Sequence, residues 1–210
     1  MGRSLSFVVL GFLCVSCILL FLRGNEDTWL CVRGSWVKHG NPNTPKPTGT
    51  CVAGRSIQFS SPSIPNGTDI PTRYTCDGEA VVPPFVIGSP FPGVLSYALS
   101  IDDLTAPGGV FHHLFVWNIP KDTRTIEENT MPISARFGNN SSGQAGYQPI
   151  CPQAGTHTYQ FTMYALQKDL PLKEGAQWSE FDRAVSQYSV ATASFSASYT
   201  RTDGVVTGAN

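Results

Sequence analysis

The part of this chain that most restricts its fold is residues 94–119, two apolar runs separated by a Pro/Gly turn. Residues 94–101 alternate, with Leu95, Tyr97, Leu99 and Ile101 on one face and Ser96, Ala98 and Ser100 on the other. Period two is the pattern of a strand. It also separates two neighbouring carboxylates, since Asp103 continues the apolar face and Asp102 the polar one. The competing reading of Asp103 is a turn carboxylate that caps backbone amides at the strand end. Ala106-Pro107-Gly108-Gly109 then reverses the chain.

Residues 110–119 are apolar on both faces, as expected of a central strand. Strict alternation puts His113 with Phe111, Phe115 and Trp117, and His112 with Val110, Leu114 and Val116. Consecutive strand residues point oppositely, so the two histidines cannot serve one site. For either one, the alternative role is a hydrogen-bonded structural histidine. A third strand is expected over residues 157–166, with His157, Tyr159, Phe161 and Met163 sharing a face, just after a Pro/Gly loop at 149–155. Three strand mouths therefore offer Asp103, His113, and His157 with Tyr159.

The remaining text agrees with an all-β chain. Ile57-Gln58-Phe59 reads as a short strand, residues 60–72 as loop, Tyr74 to Gly78 as a turn, and residues 81–87 as an extended piece. Trp178, Phe181, Val185 and Tyr188 recur at helical spacing with Asp182 and Arg183 outward, a core-facing helix rather than a ligand box. Ala191, Ala193, Phe195, Ala197 and Tyr199 alternate with Thr and Ser as a closing strand. The expected architecture is a two-sheet antiparallel β-sandwich with Greek-key-like connections and one or two short helices.

With 210 residues, 41% hydrophobic and 14% charged, the chain has enough material for one globular domain plus appendages. A net charge of −1 without basic runs leaves no electrostatic footprint for nucleic acid. Residues 4–22 are uncharged and flanked by Arg3 and Arg23, at the short end of the roughly 20 residues that span a bilayer. An uncleaved signal anchor is the leading expectation. A cleaved signal peptide and a lipoprotein site at Cys17 are the rivals, and all three export the domain. The expected layout is residues 1–23 as anchor or signal peptide, preceding the fold as a hydrophobic helix, then 24–54 as a juxtamembrane stalk and 55–210 as the domain. The domain is accordingly expected to be membrane-anchored and extracytoplasmic, or secreted or periplasmic after cleavage.

Cys14 and Cys17 lie in the apolar run, leaving Cys31, Cys51, Cys76 and Cys151 with three pairings. Cys31 and Cys51 bracket a Pro/Gly/Asn-rich segment with little core of its own, so a Cys31–Cys51 bridge is expected in an oxidising compartment. Cys76 and Cys151 are then the remaining pair. No metal site is expected, because His39 is the only extra ligand near the first two cysteines and the spacing matches no zinc finger. Asn66-Gly67-Thr68 and Asn139-Asn140-Ser141-Ser142 match the glycosylation sequon.

Four blocks resemble the phosphatidylethanolamine-binding protein (PEBP) family, most closely its bacterial and archaeal Raf-kinase-inhibitor-like members. They are Tyr74-Thr75-Cys76-Asp77-Gly78 with Pro83-Pro84; Asp103 to Pro107 with His113 and Asn118-Ile119-Pro120; Gly146-Tyr147, Cys151-Pro152, Gly155 and His157-Thr158-Tyr159; and the helix-plus-strand ending. The resemblance implies a two-sheet β-sandwich with a small anion-accepting pocket at one end. By motif it assigns ligand binding to Asp103, His113, His157 and Tyr159. Imidazole N–H and tyrosine O–H would be donors to a phosphate-type, phospholipid-head-group or carboxylate ligand. Asp103 would fix a histidine tautomer or receive a cationic amine.

The chain departs from the family wording at Leu104, Thr105, Pro149 and Thr158, which stand where Pro, Asp, Gly and Arg are usual, and it lacks a Trp near Ile87. The leading function is a non-catalytic binding domain that needs no cofactor. The alternative is an inhibitor or interaction protein of a partner enzyme. An enzyme is not expected, because no Ser or Cys lies in a recognised nucleophile motif and Cys151 reads as a disulfide or buried thiol.

Overall fold

The computed structural model describes residues 28–32, 35–41, 45–46 and 57–201, and the chain divides into two units, Met1–Gly54 and Arg55–Asn210. The N-terminal apolar run, Cys51 and the side chain of Cys31 lie outside the described residues, and with them the expected anchor helix and the Cys31–Cys51 bridge. Among the described residues no helix is long and apolar enough to cross a membrane.

The first unit contains an antiparallel hairpin of β1 (Thr28–Val32) and β2 (Ser35–His39), in which Cys31 pairs with Trp36. In the second unit, β3 (Phe59–Ser60), β4 (Phe85–Ile87) and β7 (Thr125–Ile126) form a three-stranded sheet. The larger sheet contains β5 (Ser96–Asp103), β6 (Phe111–Pro120), β8 (Arg136–Phe137), β9 (Gly155–Leu166) and β10 (Ser189–Arg201) in the order β10-β9-β5-β6-β8. The pairings between these strands are antiparallel, and the chain leaves β8 to return beside β5, a Greek-key-like connection. Helix α1 (Trp178–Tyr188) lies between β9 and β10 in sequence.

The two sheets enclose the main core. Phe59, Phe85, Phe161 and Phe195 meet there, with ring centroids 4.7–6.1 Å apart. Tyr97, Leu99, Ile101, Leu114 and Val116 join them from β5 and β6. The opposite face of the large sheet is covered as well. Ala98, Phe115, Trp117 and Leu166 pack against Phe181, Ala184 and Val185 of α1. Spacing at i, i+3 and i+4 puts those three helix residues on one stripe, and burying Phe181 alone contributes about 1.5–3 kcal/mol relative to leaving it in water. Glu180 starts the helix by accepting the Gln177 N–H at 2.9 Å. Covering both faces explains why β5 is buried along its whole length although its sequence alternates.

β6 departs twice from regular pairing. Tyr97 pairs with Ile119 and Leu99 with Val116, so β6 has an extra residue there, where Asn118 adopts φ 58°. Asn118 is held by two hydrogen bonds to Leu170, accepting its N–H at 2.8 Å and donating to its carbonyl at 3.3 Å. Near the other end, Ile101 pairs with Leu114 but Asp102 pairs with His112, leaving His113 as the extra residue. This second bulge corrects the phase expected from alternation. His112 falls on the α1 side with Phe115, and His113 on the side of Tyr159 and the main core. An inserted residue shifts all earlier positions to the other face.

Candidate ligand pocket

The bulge brings His113 to the mouths of β5 and β9. In the pairing register Asp103 stands opposite Phe111 on one side and Tyr159 on the other, so the central strand sets the spacing of the group. Asp103 is 3% exposed and uses both carboxylate oxygens. Oδ2 lies 2.6 Å from Nδ1 of His157, and Oδ1 accepts from the Thr105 N–H at 2.9 Å and the Thr105 hydroxyl at 3.1 Å. Thr105 Oγ1 in turn accepts the Thr158 N–H at 3.0 Å. The Thr105 departure thus becomes part of a clamp that ties the loop after β5 to the Thr158 backbone of β9. Asp103 closes its own turn, as the capping reading expected, and orients the His157 imidazole with its other oxygen.

His113 is fixed differently. Its Nδ1 lies 2.8 Å from the Gln148 carbonyl oxygen, and its own carbonyl accepts the Gln148 N–H at 2.8 Å. A carbonyl can only accept, so Nδ1 carries the proton and Nε2 is left with its lone pair in the neutral ring. Burial pushes the His113 pKa below the ordinary imidazole value, offset in part by the Gln148 carbonyl and the Asp103 charge. Phe111 and Tyr159 pack against the ring at 4.7 and 5.6 Å between centroids.

Tyr159 is fully buried, and its hydroxyl has no partner within normal hydrogen-bond geometry, with the Asp103 carboxylate as the acceptor nearby. Desolvation first, and the Asp103 charge second, push its pKa well above the usual phenol value, so it is a neutral O–H donor. By contrast, the neighbouring Tyr147 hydroxyl is satisfied by the Tyr74 carbonyl at 2.8 Å.

Asp103, His113, His157 and Tyr159 line one cavity of about 480 Å3, with apolar walls from Pro107, Phe111, Pro149 and Pro152. Neither Lys nor Arg lines it. The loop over its mouth is held by a Cys76–Cys151 disulfide with Cα atoms 5.3 Å apart, and by the Cys76 N–H donating to the Ile150 carbonyl at 3.0 Å. Behind the loop, Arg201 pairs with Asp77 at 3.0 Å, and Asp77 also accepts the Tyr199 hydroxyl at 2.7 Å. Among the described residues no group of three or more His, Cys, Asp or Glu side chains is arranged to hold a metal.

Asp102 and His112 form a second pair on the opposite face. His112 Nδ1 lies 2.7 Å from Asp102 Oδ1, the Ser100 hydroxyl donates to Oδ2 at 2.7 Å, and the Trp178 indole stacks on the His112 ring at 3.7 Å. This group is cut off from the cavity by the sheet itself. Sequence reasoning missed Gln148, Thr105 and the Trp178–His112 stack as parts of these arrangements. Gln148 acts through its backbone, which leaves no trace in residue type.

Comparison with known proteins agrees with this picture. A 42% identical relative over 112 residues is a UPF0098 protein of Methanothermobacter thermautotrophicus, covering 51% of this chain and 74% of the relative. A protein of Mycobacterium tuberculosis named as a lipoprotein, LppC, is 34% identical over 137 residues, covering 64% of this chain and 68% of its own length. Among solved structures, the PEBP homolog CT736 of Chlamydia trachomatis superposes with a TM-score of 0.66 at 28% identity, covering 70% of this chain and 98% of that one. YbcL of E. coli, described as a new member of the mammalian PEBP family, gives 0.66 at 25% identity, covering 70% and 99%. The family model described as phosphatidylethanolamine-binding protein matches residues 60–200, essentially the whole sandwich, and the chain belongs to that family.

Proposed function

We propose that the second unit is a non-catalytic binding domain that holds a small anion of phosphate or phospholipid-head-group type in the cavity at the mouths of β5, β6 and β9. The observation that carries this reading is the Tyr159 hydroxyl, a buried donor without a partner on a cavity that also receives two imidazoles. An unpaired buried hydroxyl costs about 1–3 kcal/mol, a cost that a ligand oxygen accepting its proton would remove. Both rings have Nδ1 occupied by protein groups, so Nε2 is the nitrogen left for the ligand.

A binding role is favoured over catalysis by what surrounds the imidazoles. Among the described residues, no serine, threonine or cysteine side chain hydrogen-bonds to the ring of His113 or His157, and Cys151 is committed to a disulfide. Export is supported by that disulfide and by the relative named as a lipoprotein; the apolar N-terminal run supplies the membrane attachment.

The test is calorimetric titration of the full chain with phosphate, phosphoethanolamine and acetate. Saturable binding of a phosphoryl ligand is expected, with at least a tenfold loss in His113→Ala and about a fivefold to tenfold loss in Tyr159→Phe, the value of one hydrogen bond. No binding by any of the three would overturn the reading and direct attention to a protein partner.

A further inference from the structure

We propose that this pocket captures its anion together with a proton, which is held between a ligand oxygen and Nε2 of His113. The inference rests on the pocket reading above and concerns what happens to charge when the ligand enters.

The geometry leaves few ways to balance that charge. Neither Lys nor Arg lines the cavity, and Arg201 behind the loop is paired with Asp77. The one fixed charge is the Asp103 carboxylate, and its hydrogen-bonded partner His157 supplies at most one positive charge against it. The carboxylate and imidazole together therefore offer an incoming anion no net attraction. Pro149 contributes no backbone N–H at the mouth. Tyr159 donates one hydrogen bond but no charge.

His113 decides the outcome. Its Nδ1–H is fixed on the Gln148 carbonyl, an acceptor that cannot supply a proton, so the ring cannot change tautomer to present N–H on the other side. In the neutral ring, Nε2 therefore meets an anionic oxygen lone pair to lone pair. One proton taken from solution turns this repulsion into a charge-assisted hydrogen bond. It matters little whether that proton is counted on the ring or on the ligand. The ionisable groups around the ring are Asp103 from β5, His157 and Tyr159 from β9, Tyr147 from the preceding loop, and Asp102 across the sheet. Of these, Asp102 is already committed to His112 and Asp103 to His157. Tyr147 and Tyr159 stay neutral.

The experiment is calorimetric titration of the full chain with dimethyl phosphate, a diester like a lipid head group, and with methyl phosphate, a monoester like free phosphate. The diester keeps one charge across the neutral range, so any proton exchanged belongs to the protein. Titrations at pH 8 in two buffers of different ionisation enthalpy give the protons taken up. The expected result is close to one proton per diester bound, and affinity falling about tenfold per pH unit above neutrality. His113→Gln, whose amide offers a permanent N–H, should bind the diester without that pH dependence. Diester binding by the wild type without proton uptake would overturn the proposal while leaving the pocket reading intact. Uptake that persists in His113→Gln would also overturn it, by placing the proton on the Asp103–His157 pair. Failure of both ligands to bind at any pH would overturn the pocket reading and this inference with it. Should His113→Gln not fold, the wild-type buffer comparison counts the protons and the imidazole nitrogen resonances of the diester-bound wild type locate them, a neutral His113 ring in the bound state overturning the proposal. The relative affinities of monoester and diester then identify the source of the phosphoryl group.

Discussion

His112 and His113 are adjacent in the chain and face opposite sides of the large sheet, in the reverse of the order that strict alternation assigns. The cause is the bulge that pairs Ile101 with Leu114 and Asp102 with His112, leaving His113 over. One inserted residue sends His112 beneath Trp178 and turns His113 toward the cavity. The two histidines then take different partners, a carboxylate for His112 and a backbone carbonyl for His113.

Removing His112 should weaken the fold and spare the pocket. His112→Ala leaves the Asp102 carboxylate, 7% exposed, without its imidazole and removes the stack that seats Trp178. Breaking a buried pair from one side costs about 3 kcal/mol. Urea denaturation should show a loss of that order, with affinity for phosphoryl ligands unchanged.

The bulge at the other end of β6 depends on Asn118. Its positive φ is strained for most side chains, and its amide makes both hydrogen bonds to the Leu170 backbone. Asn118→Ala should cost about 2–3 kcal/mol from two lost bonds and the added backbone strain. Asn118→Gly should be milder, since it relieves the strain but not the loss of the bonds. Thermal melts of the two variants check the order.

Gly78 in the Tyr74 to Gly78 turn has no room for a methyl group. A Cβ there would overlap the Thr72 carbonyl and lie 2.8 Å from Arg73 Cα, all of it backbone. Gly78→Ala should therefore destabilise by about 1–3 kcal/mol, as overpacking does, and shift the turn that carries Cys76. A lowered melting temperature beside unchanged far-UV circular dichroism is the expected signature.

Reducing the Cys76–Cys151 bridge should affect stability and the pocket together. The bridge closes a chain separation of 75 residues, and such crosslinks typically contribute about 2–4 kcal/mol. It also anchors the loop whose Gln148 carbonyl orients His113. Melts with and without reductant should differ by this amount, and titration of the reduced protein should show weaker ligand binding.

Acid should destabilise the free protein while tightening its ligand. The folded His113 pKa is depressed below the ordinary 6.5, so the unfolded chain binds more protons in the interval between the two values. The stability contributed by this group is present above about pH 6.5 and is lost as pH falls toward the folded value. Denaturant titrations from pH 8 to 5 should show this fall, and it should be absent in His113→Gln.

Much of the site can be read from the chain, because period two and turn residues report which side chains end a strand on the buried face. Asp103 follows from phase, and His157 with Tyr159 from the third strand mouth. Alternation along β6 fails for the histidines, since a bulge is a property of two strands and leaves the hydrophobic text of one unchanged. The partners of the site were equally hidden. Thr105 reads as a departure from a family pattern until its hydrogen bonds to Asp103 and to the Thr158 N–H appear. The helix stripe at Phe181 and Val185 was plain, but Trp178 covering the Asp102–His112 pair depends on where α1 docks.

Local sequence thus determined which residues form strands, which helix face is apolar and which chemical groups reach the strand ends, because each is governed by neighbours within a few positions. The tertiary structure closes the Cys76–Cys151 bridge expected as the remaining pair. It alone decided that the bulge turns His113 and His112 to opposite sides from those strict alternation assigns, and that the Tyr159 hydroxyl is left without a close partner, because strand register and burial each join residues far apart in the chain.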